Sequence, residues 1–190
     1  MLASDAFSTA LAAVCVVWVG FEVGFSILSR ARGGAAKRDA GSQWLLYGAT
    51  FGGAFAGVYL AMRGVGMLPL PMWLRWAGIA LIVAGLAFRL WAIVTLRRFF
   101  TVDVAVHQDH KVVTTGPYAI VRHPGYAGGL LSFIGFALAL SSWVSALVML
   151  LLIGAAYAYR IHVEEAALMR DLPGYAEYAQ RVYRLIPWVC

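Results

Sequence analysis

Charge is what this chain has least of. Only 13% of its 190 residues are Asp, Glu, Lys or Arg, against roughly 25% in a soluble domain. So few polar side chains do not cover a water-facing surface, and with a mean hydropathy of +0.78 the composition is that of an all-α integral membrane protein. Cysteine is nearly absent as well. Cys15 lies in an apolar run and Cys190 is the last residue, so neither a metal-ligand spacing nor a disulfide framework is present, and no metal is expected. A cysteine in last place, rather than fourth from the end, is not a prenylation box. No basic residue precedes the first apolar run, which argues against a secretory signal peptide. The net charge of +6 has no polar face to collect on, so nucleic acid is not an expected partner. Cytoplasmic loops of a membrane protein account for the excess better.

What is abundant is apolar sequence in lengths that cross a bilayer, roughly 20 residues each. One span is expected over Ala6–Ser29 with Ser4 and Asp5 as caps, a second over Trp44–Met62, and a third over Met72–Leu96 after the Pro69/Pro71 turn. Gly52, Gly53 and Gly57 make the second span suited to close helix contact. Residues 126–159 read as a helical hairpin, Tyr126–Leu140 and Trp143–Tyr159, broken at Ser141-Ser142. The first arm is short for a full crossing. The whole is therefore read as one membrane domain over 1–190, a bundle of about five transmembrane helices. Spans occupy 1–96, a polar loop 97–125, the hairpin 126–159 and a polar helical tail 160–190, interrupted at Pro173-Gly174.

Basic residues give the orientation. The loop at 30–43 carries Arg30, Arg32, Lys37 and Arg38; the polar loop carries Arg97, Arg98, Lys111 and Arg122; the tail carries Arg160, Arg170, Arg181 and Arg184. Only Arg63 and Arg75 fall on the other side. Twelve against two predicts an amino terminus outside, with loop and tail together in the cytoplasm.

That shared side matters because the loop is a polar island between apolar runs. Residues 107–128, HQDHKVVTTGPYAIVRHPGYAG, hold three histidines, two basic residues and two prolines. Pro124 forces His123 out of helical conformation and suits the first position of the next helix. The unpaired N–H groups there, beside Arg122 and His123, favour an anion. Beyond the hairpin, Arg160 stands one turn before Glu164 in Glu164-Glu165, on the same helical face. Each motif alone fits an ordinary membrane boundary. Both together on one side make a site.

The order His110-Lys111-Val112-Val113, Gly116-Pro117-Tyr118, Arg122-His123-Pro124-Gly125-Tyr126-Ala127-Gly128, an apolar hairpin, then Arg160, Glu164-Glu165 and Tyr175-x-x-Tyr178 resembles the isoprenylcysteine carboxyl methyltransferase family, to which phospholipid methyltransferases are related. The resemblance covers roughly residues 97–187. It implies an S-adenosylmethionine-dependent methyltransferase acting on a lipophilic acceptor, a lipid or a prenylated substrate, at the cytoplasmic membrane face. It further implies that His110, Lys111, Val112, Val113, Tyr118, His123, Pro124, Gly125, Tyr126 and Glu164 line the cofactor site, and that Arg160 meets the acceptor. Gly125 departs from the pattern, since serine is common there, and should alter a hydrogen bond.

The residue types agree with that chemistry. A zwitterionic sulfonium needs an acceptor such as Glu164, donors such as Arg122 or His123, and electron-rich rings such as Tyr118 or Tyr126. A carboxylate acceptor needs no base and suits a bidentate Arg160. A phenolic lipid or lipid amine, the alternative acceptors, needs a base, with His123 or Glu164 as candidates. The rival readings are a sterol-reductase-like membrane reductase using NADPH, and a channel or transporter component. Off the motif, Glu22 and Arg89 each lie seven residues inside the cytoplasmic end of their spans, at a common depth of about 10 Å. Charges at that depth pair or serve a site, and a Glu22–Arg89 pair is the expectation.

Overall fold

The computed structural model describes residues 2–30, 42–97 and 112–187. Helix α1 spans Leu2–Arg30, α2 Ser42–Met62, α3 Met72–Leu96, α4 Pro124–Leu140, α5 Trp143–Asp171 and α6 Tyr175–Ala179; a 3-10 turn covers Gly116–Ala119. Four of these, α1, α2, α3 and α5, are long and apolar enough to cross a membrane, whereas α4 has only 17 residues. Large apolar side chains such as Val16, Phe55, Trp73 and Leu151 stand more than 60% exposed, a surface suited to lipid. The chain is a helical membrane protein.

Two boundaries differ from expectation. Helix α1 is already formed at Leu2, so Asp5 lies within its first turn instead of capping it. Helix α5 does not stop at Tyr159 but continues unbroken to Asp171. Its 29 residues reach about 44 Å, more than a hydrocarbon core of about 30 Å, so the helix extends beyond the length needed to cross that core.

The hairpin turn forms where Ser141 adopts φ 56° and Ser142 caps α5 by accepting from the Ser145 N–H. Its arms turn mainly to other partners, α4 to α3 and α5 to α2. The α3–α4 contact is backbone on backbone. A Cβ added at Gly78 or Gly135 would come within 2.5–2.6 Å of the other's carbonyl, and the same holds for Gly85 and Gly128. Each pair sits seven residues from the next on both helices, so the seam stays in register along two turns. On α2, Gly53 and Gly57 do meet Ile153 and Met149 of α5, while Gly52 faces open space. The principal core fills the space between these contacts with Trp18, Ile82, Phe133, Phe136, Met149, Ile153 and Tyr157.

Candidate active site

Three segments meet at one end of the bundle: the Arg122–Tyr126 corner, the last turns of α5, and the tail. Pro124 takes the first position of α4, with His123 outside helical conformation before it, as proline requires. Backbone bonds fasten the tail to this corner. The Arg122 N–H donates to the Tyr183 carbonyl at 2.8 Å, and the His123 N–H to that of Arg184 at 3.1 Å.

Beneath these bonds lies the buried carboxylate of Glu165. It faces Arg122 at 3.3 Å, His123 Nε2 at 3.2 Å and Arg184 at 2.8 Å. A buried carboxylate is tolerated when cations and donors surround it, and here they come from both loop and tail. Glu165 therefore clamps the two segments together.

Glu164 points elsewhere, because consecutive residues on a helix diverge by about 100°. The Tyr126 phenol donates to Glu164 Oε2 at 2.8 Å and accepts from Arg160 Nε at 3.3 Å. Arg160 is buried and also donates through a terminal nitrogen to Ser42 Oγ at 2.5 Å, tying α5 to the start of α2. The Tyr126 ring stands edge-on to Tyr157 at 5.2 Å between centroids and beside His123 at 5.8 Å. Arg160 and Glu164, one turn apart as the spacing predicts, thus converge on a single phenol.

The tail folds over the loop. Leu172, Tyr175 and Tyr178 form a small core with Val112, and the Tyr178 hydroxyl donates to the Tyr118 carbonyl at 2.7 Å. Burial pushes the phenols of Tyr118, Tyr175 and Tyr178 upward, that of Tyr178 to about 12, so all three are neutral at physiological pH. Between loop and tail lies a cavity of about 620 Å³ bordered by Val112, Thr114, Gly174, Glu177, Tyr178 and Arg181.

Of the residues singled out by sequence, His123, Pro124, Gly125, Tyr126, Arg160 and Glu164 lie in the converging corner and α5, Val112 and Tyr118 meet the tail, and Val113 follows Val112 in the same loop. His110 and Lys111 lie outside the described residues. Arg122 and His123, candidates for holding a ligand carboxylate, are instead directed at Glu165. Sequence reasoning gave no individual part in the site to Glu165, Arg184, Ser42 or Tyr157. A signal for the first was available, since two adjacent helical acids do not face one target. Glu22 and Arg89 form the expected pair, at 2.9 and 3.0 Å, and Arg89 goes further by donating to the Gly125 carbonyl at 2.8 Å.

Four spanning helices with a buried ionic and phenolic cluster at one mouth define a polytopic membrane protein with an enclosed polar site at its edge. Residues 78–170, about half of the chain, match the model of the isoprenylcysteine carboxyl methyltransferase family. A protein-S-isoprenylcysteine O-methyltransferase B of Arabidopsis thaliana is 36% identical over 120 residues, 62% of this chain and 61% of the plant protein. A cobalt-zinc-cadmium resistance protein of Cupriavidus metallidurans is 29% identical over 124 residues, 65% of this chain and 52% of that protein. The solved structure of a eukaryotic intramembrane Ras methyltransferase, an isoprenylcysteine carboxyl methyltransferase, superposes with a TM-score of 0.54 at 27% identity, over 80% of this chain and 54% of its own. The chain thus spans about three fifths of the plant relative's length and about half that of the solved structure.

Proposed function

We propose that this protein is an S-adenosylmethionine-dependent methyltransferase that methylates a lipophilic acceptor at the cytoplasmic face, in the manner of an isoprenylcysteine carboxyl O-methyltransferase. The observation that carries the reading is the Tyr126 phenol shared by Glu164 and Arg160, inside the family-matched segment. The residues present suit the cofactor. Glu164 offers a carboxylate acceptor, and the Tyr175 hydroxyl is buried with no hydrogen-bond partner among the described residues. The cavity of about 620 Å³ between loop and tail, which Val112 lines, lies in the range of roughly 300–1,000 Å³ typical of small-molecule sites.

When bound, the cofactor supplies an electrophilic methyl group on a sulfonium. His110, Lys111, Val112, Val113, Tyr118, the His123–Tyr126 corner and Glu164 would hold it. The remaining work is positioning, which suits an in-line displacement. Arg160 would grip an acceptor carboxylate from the membrane side, and such an acceptor needs no base. With its Nε2 on Glu165, His123 locks the corner to the tail in this scheme; the sequence-based role of proton acceptor then falls to Glu164 for a phenolic or amine acceptor.

Replacing Glu164 by Gln keeps the shape and removes the charge. Calorimetry on purified protein should show S-adenosylmethionine affinity lowered tenfold or more, about 1.4 kcal/mol. Unchanged affinity in a folded variant would remove Glu164 from the cofactor site.

Orientation has its own test. With Cys15 and Cys190 replaced by serine, a cysteine at Gln180 should resist an impermeant thiol reagent applied to intact cells, and one at Val65 should react. Labelling of Gln180 from outside would reverse the proposed sidedness.

A further inference from the structure

The Glu22–Arg89 pair does more than satisfy two charges inside the bundle. Two of the three guanidinium nitrogens of Arg89 face Glu22, at 2.9 Å from Nε and 3.0 Å from a terminal nitrogen. The third donates at 2.8 Å to the carbonyl of Gly125, the second residue of α4. A cation at a helix amino terminus opposes the helix dipole, so this contact is not explained by helix electrostatics. Glu22 offsets the opposing charge. The approach is also tight, because a Cβ added at Gly128 would meet the Arg89 backbone nitrogen at 2.8 Å and its Cβ at 3.0 Å. One residue beyond the gripped carbonyl stands Tyr126, whose phenol joins Glu164 and Arg160.

We propose that Arg89, with Glu22 as its counter-ion, is a positioning residue that fixes the His123–Tyr126 corner and so aims the Tyr126 phenol for methyl transfer. The inference rests on the methyltransferase reading above. The grip runs from α1 through α3 to the first turn of α4, and from there across the phenol to α5. An ion pair that only held α1 to α3 would need no bond to Gly125. Arg89 thus has two separable duties, one toward Glu22 and one toward the corner.

A charge swap separates them. Glu22→Arg combined with Arg89→Glu keeps an ion pair between α1 and α3 but sets a carboxylate against the Gly125 carbonyl. Arg89→Lys keeps the cation without the fork that reaches both sides, and decides the matter should the swap not fold. The full chain in detergent should melt within a few degrees of wild type in the swap. Its S-adenosylmethionine affinity and its kcat on a prenylcysteine analogue should both fall about tenfold. Amide exchange at Tyr126 and Ala127, whose N–H groups bond to the His123 carbonyl, should quicken by a similar factor. A folded swap, or Arg89→Lys, with wild-type kcat, cofactor affinity and amide protection overturns the proposal. If wild type itself neither binds the cofactor nor transfers methyl, the methyltransferase reading fails instead. Amide exchange then decides the positioning role alone: quickening supports it and unchanged protection ends it.

Discussion

Arg160→Lys should lower kcat/KM for a carboxylate acceptor by roughly 10- to 100-fold, equivalent to about 1.4–2.8 kcal/mol of transition-state stabilisation. The guanidinium is buried and reaches Ser42 on one side and Tyr126 on the other. A lysine ammonium is a single point charge and does not reproduce that fork, nor bidentate contact with a carboxylate. Cofactor affinity should change less than threefold, because Glu164 keeps its bond from Tyr126. The measurement is methyl transfer by wild type and variant on a prenylcysteine analogue and a long-chain phenol, across pH. A phenol or amine acceptor should be much less sensitive to Arg160→Lys and should lose activity on acidification, as its base protonates. If cofactor affinity falls as far as turnover, Arg160 belongs to the cofactor pocket.

Glu165→Gln should cost stability more than any other single change at the site. It leaves Arg122, whose side chain is only 10% exposed, without its counter-charge, and removing one partner from a buried ionic cluster costs about 3–5 kcal/mol. Arg184 contributes less to that figure, since its side chain is half exposed and water screens it. The effect should appear as a lowered melting temperature in detergent and as protease cleavage of the tail after Asp171, where wild type resists. Glu165→Asp keeps the charge at shorter reach and should fall between the two. A Gln variant with the wild-type melting temperature and an intact tail would show that the backbone bonds to Tyr183 and Arg184 hold the tail without the carboxylate.

How much of this was legible in the sequence depends on the range of each cause. Hydropathy is local, and the spans at 44–62 and 72–96 lie within two residues of the observed helices α2 and α3. Proline acts on its neighbours, so the break at His123 and the start of α4 at Pro124 were readable. The Glu22–Arg89 pair was readable as well, because two charges at equal depth in apolar helices have few other partners. The Glu165 cluster was not, since it draws on residues up to 43 positions away whose meeting depends on how the tail returns. Helix past Tyr159 was legible in the spacing of Arg160 and Glu164, but its unbroken continuity with the apolar arm was not, because the change from apolar to polar composition marks the end of the apolar span and not of the helix. The glycine seam left a trace that went unread: Gly78 and Gly85, like Gly128 and Gly135, recur at a seven-residue interval.

Because α5 is unbroken, Tyr157, Arg160, Glu164 and Glu165 are graduations on one rigid scale. The distance from the apolar interior to the carboxylates is set by helical pitch and does not depend on any loop's conformation. An acceptor held at Arg160 and a cofactor held at Glu164 would stand about 6 Å apart along that axis, at 1.5 Å per residue. The spacing is digital, changeable only in whole residues, each of which would also turn the lower groups about 100° off target. Variation in what the site accepts therefore has to arise in side chains facing the scale, from α2, α4 and the tail, and not in the scale itself.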